Sequence, residues 1–126
     1  MRTILVIDDD TAVRSILKRI ITNKFDARVM QAASGDEGFA ALQETIPDLI
    51  LLDNSMPGMS GLEFLQKLRS EEKHNDIPVL IVSANNERDL IQEMIKLGIN
   101  DYILKPINPR ITYERIQDVF KKILPK

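Results

Sequence analysis

Leu49-Ile50-Leu51-Leu52 is apolar at every position and stops at a charge, Asp53. A run this short is the wrong length for a buried helix and the right length for a strand covered on both faces, which requires a sheet with helices on either side. Two more runs share its character. Thr3-Ile4-Leu5-Val6-Ile7 closes on Asp8-Asp9-Asp10, and Ile77-Pro78-Val79-Leu80-Ile81-Val82 closes on Ser83-Ala84-Asn85. Pro78 stands where a strand tolerates proline, at its first position. Ala27 to Ala32, carried by Val29 and Met30, is a weaker strand, and Ile99 to Leu104 makes a last one that ends in Lys105-Pro106.

Between these runs the apolar residues recur at helical spacing. Val13, Ile16, Leu17, Ile20 and Ile21 mark a one-faced helix that Asp10 can cap. Ser34-Gly35-Asp36-Glu37 and Ser60-Gly61-Leu62-Glu63 both have capping-box spacing. The first opens a helix with Phe39, Leu42 and Ile46 on its inner face; the second opens one that buries Leu62, Leu65 and Leu68. The polar segment Ser70 to Asp76 follows, and its His74, the only histidine, reads as an exposed loop residue. Leu90, Ile91, Met94 and Leu97 form the face of the next helix, which Gly98 stops. Asn108-Pro109 opens the last helix, with Ile116, Val119, Phe120 and Ile123 facing inward. About five strand-then-helix units with short loops predict an α/β fold with a doubly wound parallel sheet, although the pattern does not fix strand order.

A chain of 126 residues suits one domain, 1–126, able to bury a core without staples. It has no cysteine, so disulfides and thiolate metal sites are excluded, which fits a reducing cytosol. The formal net charge of −2 argues against gripping a nucleic-acid backbone. No signal pattern or membrane-length apolar run is present, the longest run being interrupted by Asp53. A soluble, cytoplasmic protein is expected, with neither nucleic acid nor membrane as a direct partner. Lys121, Lys122 and Lys126 are cations of the kind a final helical turn attracts.

Strands of a parallel sheet present their carboxyl ends at one edge, which brings together Asp8, Asp9, Asp53, Ser83 and Lys105. Clustered carboxylates repel one another unless a proton or a cation joins them. Hard oxygen ligands without His or Cys favour Mg²⁺. A carboxylate beside a metal and a lysine is poised for phosphoryl transfer: Asp53 attacks, Lys105 and the metal neutralise charge, and the Ser83 hydroxyl bonds a phosphoryl oxygen. No general base is needed, because the carboxylate is already ionised at neutral pH.

The motifs ILVIDDD, LILLDNSMPGMSGLEFL, PVLIVSA and DYILKPI, which together span the chain, resemble those of receiver domains of bacterial two-component response regulators, of the chemotaxis-regulator and sporulation-phosphorelay type. The resemblance implies a five-stranded, flavodoxin-like (βα)5 three-layer sandwich. Asp53 would be the phosphoacceptor and Asp8 and Asp9 the acid pair for Mg²⁺, with the Ser55 main-chain carbonyl as a further ligand and Asp10 as a secondary candidate. Ser83, where the family commonly has threonine, would be the switch hydroxyl, Tyr102 the aromatic that changes rotamer, and Lys105 the family lysine, with a cis Lys105-Pro106 bond. Ser55 and Asn85 fall at positions the family varies to tune phosphate lifetime. The phosphodonor would be a sensor histidine kinase or a histidine phosphotransfer protein, docking near Thr11, Ala12, Arg14 and Ser15. A downstream effector or output domain would read the switched surface, with a phosphorylation-dependent dimer as one form of output. Such a domain catalyses only its own phosphorylation and dephosphorylation and is otherwise not an enzyme.

Three other readings compete. Asp8 and Asp10 are spaced like the nucleophile and acid/base of haloacid-dehalogenase phosphatases, but Ala12 departs from that motif and there is no length for a cap. A nucleotide-binding module lacks its Gly-rich loop. A receiver that only docks, without taking phosphate, is the third.

Overall fold

The computed structural model describes the backbone of residues 1–123 and the side chains of residues 1–122. Its elements run β1 (Arg2–Ile7), α1 (Thr11–Lys24), β2 (Ala27–Ala32), α2 (Gly35–Glu44), β3 (Leu49–Leu52), α3 (Gly61–Ser70), β4 (Val79–Ser83), α4 (Arg88–Lys96), β5 (Asp101–Leu104) and α5 (Pro109–Ile123). The five strands form one sheet in the order β2-β1-β3-β4-β5. Every pairing is parallel.

Alternation along the strands divides the core into two layers. Leu5, Ile7, Ile50, Leu52, Val79 and Ile81 pack with Leu42, Phe64, Leu65, Leu68 and Met94 of α2, α3 and α4. Ile4, Val6, Leu49, Leu51, Leu80, Val82 and Ile103 pack with Leu17, Ile21, Ile116, Val119 and Phe120 of α1 and α5. The doubly wound α/β architecture is therefore as expected, and the continuous apolar character of β1, β3 and β4 follows from having both faces covered.

The helix starts also match. Asp10 accepts from the Ala12 and Val13 amides. Ser60 and Glu63 form a complete capping box, while Glu37 reaches past Ser34 to the Ala33 amide. Asn108 accepts from the Ile111 amide, ahead of which Pro109 takes the first helical position.

Three expectations need correction. Ile46 is 55% exposed, because α2 ends at Glu44 and the extended Thr45 carries the chain out of helical phase. Ile16 is exposed at the edge of its stripe, lining a groove between α1 and α5 with Arg19, Ile20 and Tyr113. His74 is only 2% exposed, not a solvated loop residue. Its Nδ1 lies 2.8 Å from Glu71 Oε1, and its main chain bridges Glu71 and Ile77. A carboxylate partner within the same turn lets an imidazole be buried in a segment whose composition is otherwise polar. The expectation for Ile123 falls outside the described side chains.

Thr112, in the first turn of α5, is fully buried, and among the described residues its Oγ1 has no hydrogen-bond partner. Thr112→Val should therefore stabilise the fold by about 1 kcal/mol, since an unsatisfied buried hydroxyl is exchanged for a methyl of the same shape. A higher urea midpoint at unchanged slope checks this.

Candidate functional site

Strand order locates the crevice. The chain leaves β1 for β2 on one side and later returns to place β3 on the other, so the loops after β1 and β3 diverge and open a cleft at their carboxyl ends. Asp8 follows β1 and Asp53 follows β3 at this point.

Asp8 is 2% exposed, Asp53 is 3% exposed, and Asp9 is open to solvent. One carboxylate oxygen from each lies within 4.8 Å of the other two. Asp8 is held at both oxygens: Oδ1 accepts from the Asp10 amide at 2.9 Å and Oδ2 from Lys105 Nζ at 3.0 Å. Asp53 Oδ1 accepts from the Ser55 amide at 3.1 Å, and its Oδ2 stands 3.5 Å from Lys105 Nζ. Lys105 thus spans the two buried acids. It arrives there from the end of β5, through a main-chain bond from its amide to the Ser83 carbonyl and a cis bond to Pro106.

These neighbours set the protonation of the site. Burial pushes the Asp53 carboxyl above the ordinary carboxylate range; the Ser55 N–H and Lys105 oppose this and the charge on Asp8 adds to it. Burial works against the Lys105 ammonium, but the hydrogen bond to Asp8 and the attraction of Asp53 and Asp8 together raise it above its usual value. The ammonium therefore stays charged, and Asp53 is a carboxylate that gains from any additional cation.

Ser83, the last residue of β4, is fully buried, and its Oγ accepts from the Asn85 amide at 3.2 Å. Tyr102 of β5 is half-buried, and its hydroxyl donates to the Asn85 carbonyl. Burial raises the Tyr102 phenol and its contact with Ser83 lowers it, with burial prevailing. Ser83 and Tyr102 thus both bond to the main chain of one residue, Asn85, in the loop between β4 and α4. Asn85 Oδ1 accepts from the Glu87 amide, which directs that side chain along the loop. Ser55 is exposed.

Asp8, Asp9, Asp53 and Lys105 are brought together as expected, with Ser83 and Tyr102 adjacent on β4 and β5. Asn54 was not foreseen. It is buried, its Oδ1 accepts from the Leu62 amide, and its carbonyl accepts from the Gly61 amide. It ties the loop after Asp53 to the start of α3; the sequence signal is an asparagine two positions after a buried strand, eight positions ahead of the helix amide that it caps. Asp10 spends its carboxylate on the α1 cap rather than on the acid cluster.

The sequence matches the family described as response regulator receiver domain over residues 4–117. It is 31% identical over 120 residues to the chemotaxis protein CheY of Pseudomonas aeruginosa, covering 95% of this chain and 97% of that one. It is 35% identical over 125 residues to the phosphate regulon transcriptional regulatory protein PhoB of Escherichia coli, covering 98% of this chain and 54% of that protein. Among solved structures, the chemotaxis response regulator CheY4 of Vibrio cholerae aligns with a TM-score of 0.86 at 28% identity, covering 94% of this chain and 98% of that one. A CheY-like receiver domain protein from Methanospirillum hungatei aligns with a TM-score of 0.88 at 29% identity, covering 97% and 95%.

Proposed function

Because the chain belongs to the response regulator receiver family, we propose that it accepts a phosphoryl group on Asp53 from a phosphohistidine donor and signals by the change this causes around Ser83 and Tyr102. The observation that carries the reading is the bridging of Asp8 and Asp53 by Lys105 beside the solvent-open Asp9. One oxygen of Asp53 forms the new P–O bond as the P–N bond breaks, and the departing imidazole keeps the electron pair and takes up a proton. Lys105 is placed to bind the charge that Asp53 gains with the phosphoryl group.

The acid cluster fits a Mg²⁺ ion: its donors are all oxygens, they lie within one coordination sphere, and Asp53 is destabilised as an anion by burial. Asp8, Asp9, Asp53 and the Ser55 main-chain carbonyl would hold the ion, which would neutralise charge on the phosphoryl oxygens. The donor would be a histidine kinase or a histidine phosphotransfer protein in the cytoplasm, and the reader a downstream effector or output domain. The haloacid-dehalogenase reading loses its acid/base, because the Asp10 carboxylate is turned to the α1 amides.

The structure holds Tyr102 bonded to the Asn85 carbonyl, so phosphorylation is read as raising the population of this arrangement by drawing Ser83 toward the phosphate. The relevant face is built by α4, β5 and α5. Of α4, Met94 alone is fully buried, and the helix start at Glu87 has no side-chain cap, which leaves that end easy to displace. Loading the protein with Mg²⁺ and beryllofluoride should shift amide resonances from Asn86 through β5 into α5. Unchanged resonances there would refute the switching part of the proposal.

A further inference from the structure

Arg14 lies on α1 one turn past the acid cluster, and the residue is half-buried. Among the described residues it forms no ion pair within 4.0 Å, although three carboxylates converge close by. It turns back instead on the main chain that carries them: Nη1 donates to the Asp8 carbonyl at 2.6 Å. Its other donors brace it on either side, Nε to Gln31 Oε1 on β2 and Nη2 to Thr11 Oγ1 on α1, each at 3.3 Å. The carbonyl that Arg14 holds belongs to the Asp8-Asp9 peptide, so its orientation fixes where the chain leaves β1 and where Asp9 begins. The Asp8 carboxylate has two donors of its own, the Asp10 main-chain amide and Lys105 Nζ. Asp9 is exposed, and among the described residues its carboxylate has no side-chain hydrogen bond or ion pair.

We propose that Arg14 is a positioning residue for divalent-ion binding, which acts by clamping the Asp8-Asp9 peptide so that the otherwise unsupported Asp9 carboxylate is presented to the cluster. The inference rests on the Mg²⁺ reading above and assigns it a residue that contributes no ligand. Groups outside a metal's ligand set that orient its ligands typically change affinity about 10- to 100-fold when removed. The forked geometry matters as well as the charge. A lysine at this position reaches the carbonyl with a single flexible ammonium and lacks the rigid planar fork that engages Gln31 and Thr11 together.

Charge and position predict opposite signs. A cation near a Mg²⁺ site repels the ion, so if Arg14 acted only through its charge, Arg14→Gln would bind Mg²⁺ more tightly and Arg14→Lys would match the parent. Positioning requires both variants to bind more weakly. The test is a titration of the phosphate-free protein with MgCl₂ alone at fixed ionic strength, read from the amide resonances of residues 8–10 and 53–55, with urea unfolding in EDTA run on each variant. The expected result is a dissociation constant raised about 10-fold or more in Arg14→Gln and by a smaller factor in Arg14→Lys, with both variants folded. Equal or tighter binding by folded Arg14→Gln overturns the inference while leaving the metal site standing. Failure of the parent protein to respond to MgCl₂ overturns the metal reading, and the inference with it. Should Arg14→Gln not fold, Arg14→Lys decides alone, with parent-like affinity counting against the clamp.

Discussion

Asp53→Asn is expected to fold, to incorporate no phosphoryl group from acetyl phosphate and Mg²⁺, and to resist urea better than the parent at pH 7 in EDTA. The first outcome follows because an amide oxygen is a poor nucleophile, Asp8 is engaged by Lys105 and the Asp10 amide, Asp10 is engaged by the α1 cap, and the exposed Asp9 is not paired with Lys105. The gain in stability follows from the direction of the Asp53 shift. Its folded-state carboxyl lies above the ordinary value because burial disfavours the anion. A group raised in this way contributes its full stability below the unfolded-state pKa and loses it as pH rises through the folded-state value. The asparagine variant lacks that loss. Its advantage should therefore be small near pH 4, grow as the parent Asp53 ionises, and level off at higher pH. Added Mg²⁺ should reverse the order by stabilising only the parent. Phosphoryl incorporation by the variant, or a urea midpoint below the parent's at pH 7 in EDTA, would contradict the site assignment.

Gly61→Ala is expected to destabilise the fold by roughly 3 kcal/mol and to impair phosphorylation along with it. A Cβ built at Gly61 would meet the Asp53 carbonyl oxygen at 2.5 Å and the Asn54 Cα at 2.6 Å. Both obstacles are main chain, so no side chain can move aside. The Gly61 amide also donates to the Asn54 carbonyl at 3.0 Å, which means that relief of the clash pulls α3 away from the loop that carries the phosphoacceptor. Gly58 is the useful contrast. It has φ of +75° and open space around its missing Cβ, so Gly58→Ala should cost only about 1 kcal/mol of backbone strain. Urea unfolding of the two variants separates steric from conformational demand: a loss at Gly61 no larger than at Gly58 would mean that α3 packs against the site less tightly than described.

Much of this architecture was legible because the chain's patterns are redundant. β1, β3 and β4 carry continuous apolar runs, the helices after β1 and β3 have capping residues, and each run ends on a polar group at the same edge. The sequence pattern alone therefore assigns Asp8, Asp53, Ser83 and Lys105 to one edge of the sheet. It does not assign strand order, since the periodicity of a strand is blind to its neighbours. His74 was misread because a polar segment hides a local carboxylate partner, and Ile46 because helical phase was carried one turn past the helix end. Arg69 is the same kind of omission. Its guanidinium donates to the carbonyls of Asn75, Ile77, Leu97 and Gly98, tying the end of α3 to the turn after α4. Main-chain acceptors leave no mark in a sequence, so neither this tie nor that of Arg14 has a motif.

The most direct measurement is the chemical location of the phosphoryl group. The parent protein, incubated with acetyl phosphate and Mg²⁺, reduced with borohydride to trap the acyl phosphate and then digested, should yield a single modified residue, Asp53. Modification at Asp8, or none anywhere with Mg²⁺ bound, would contradict the account.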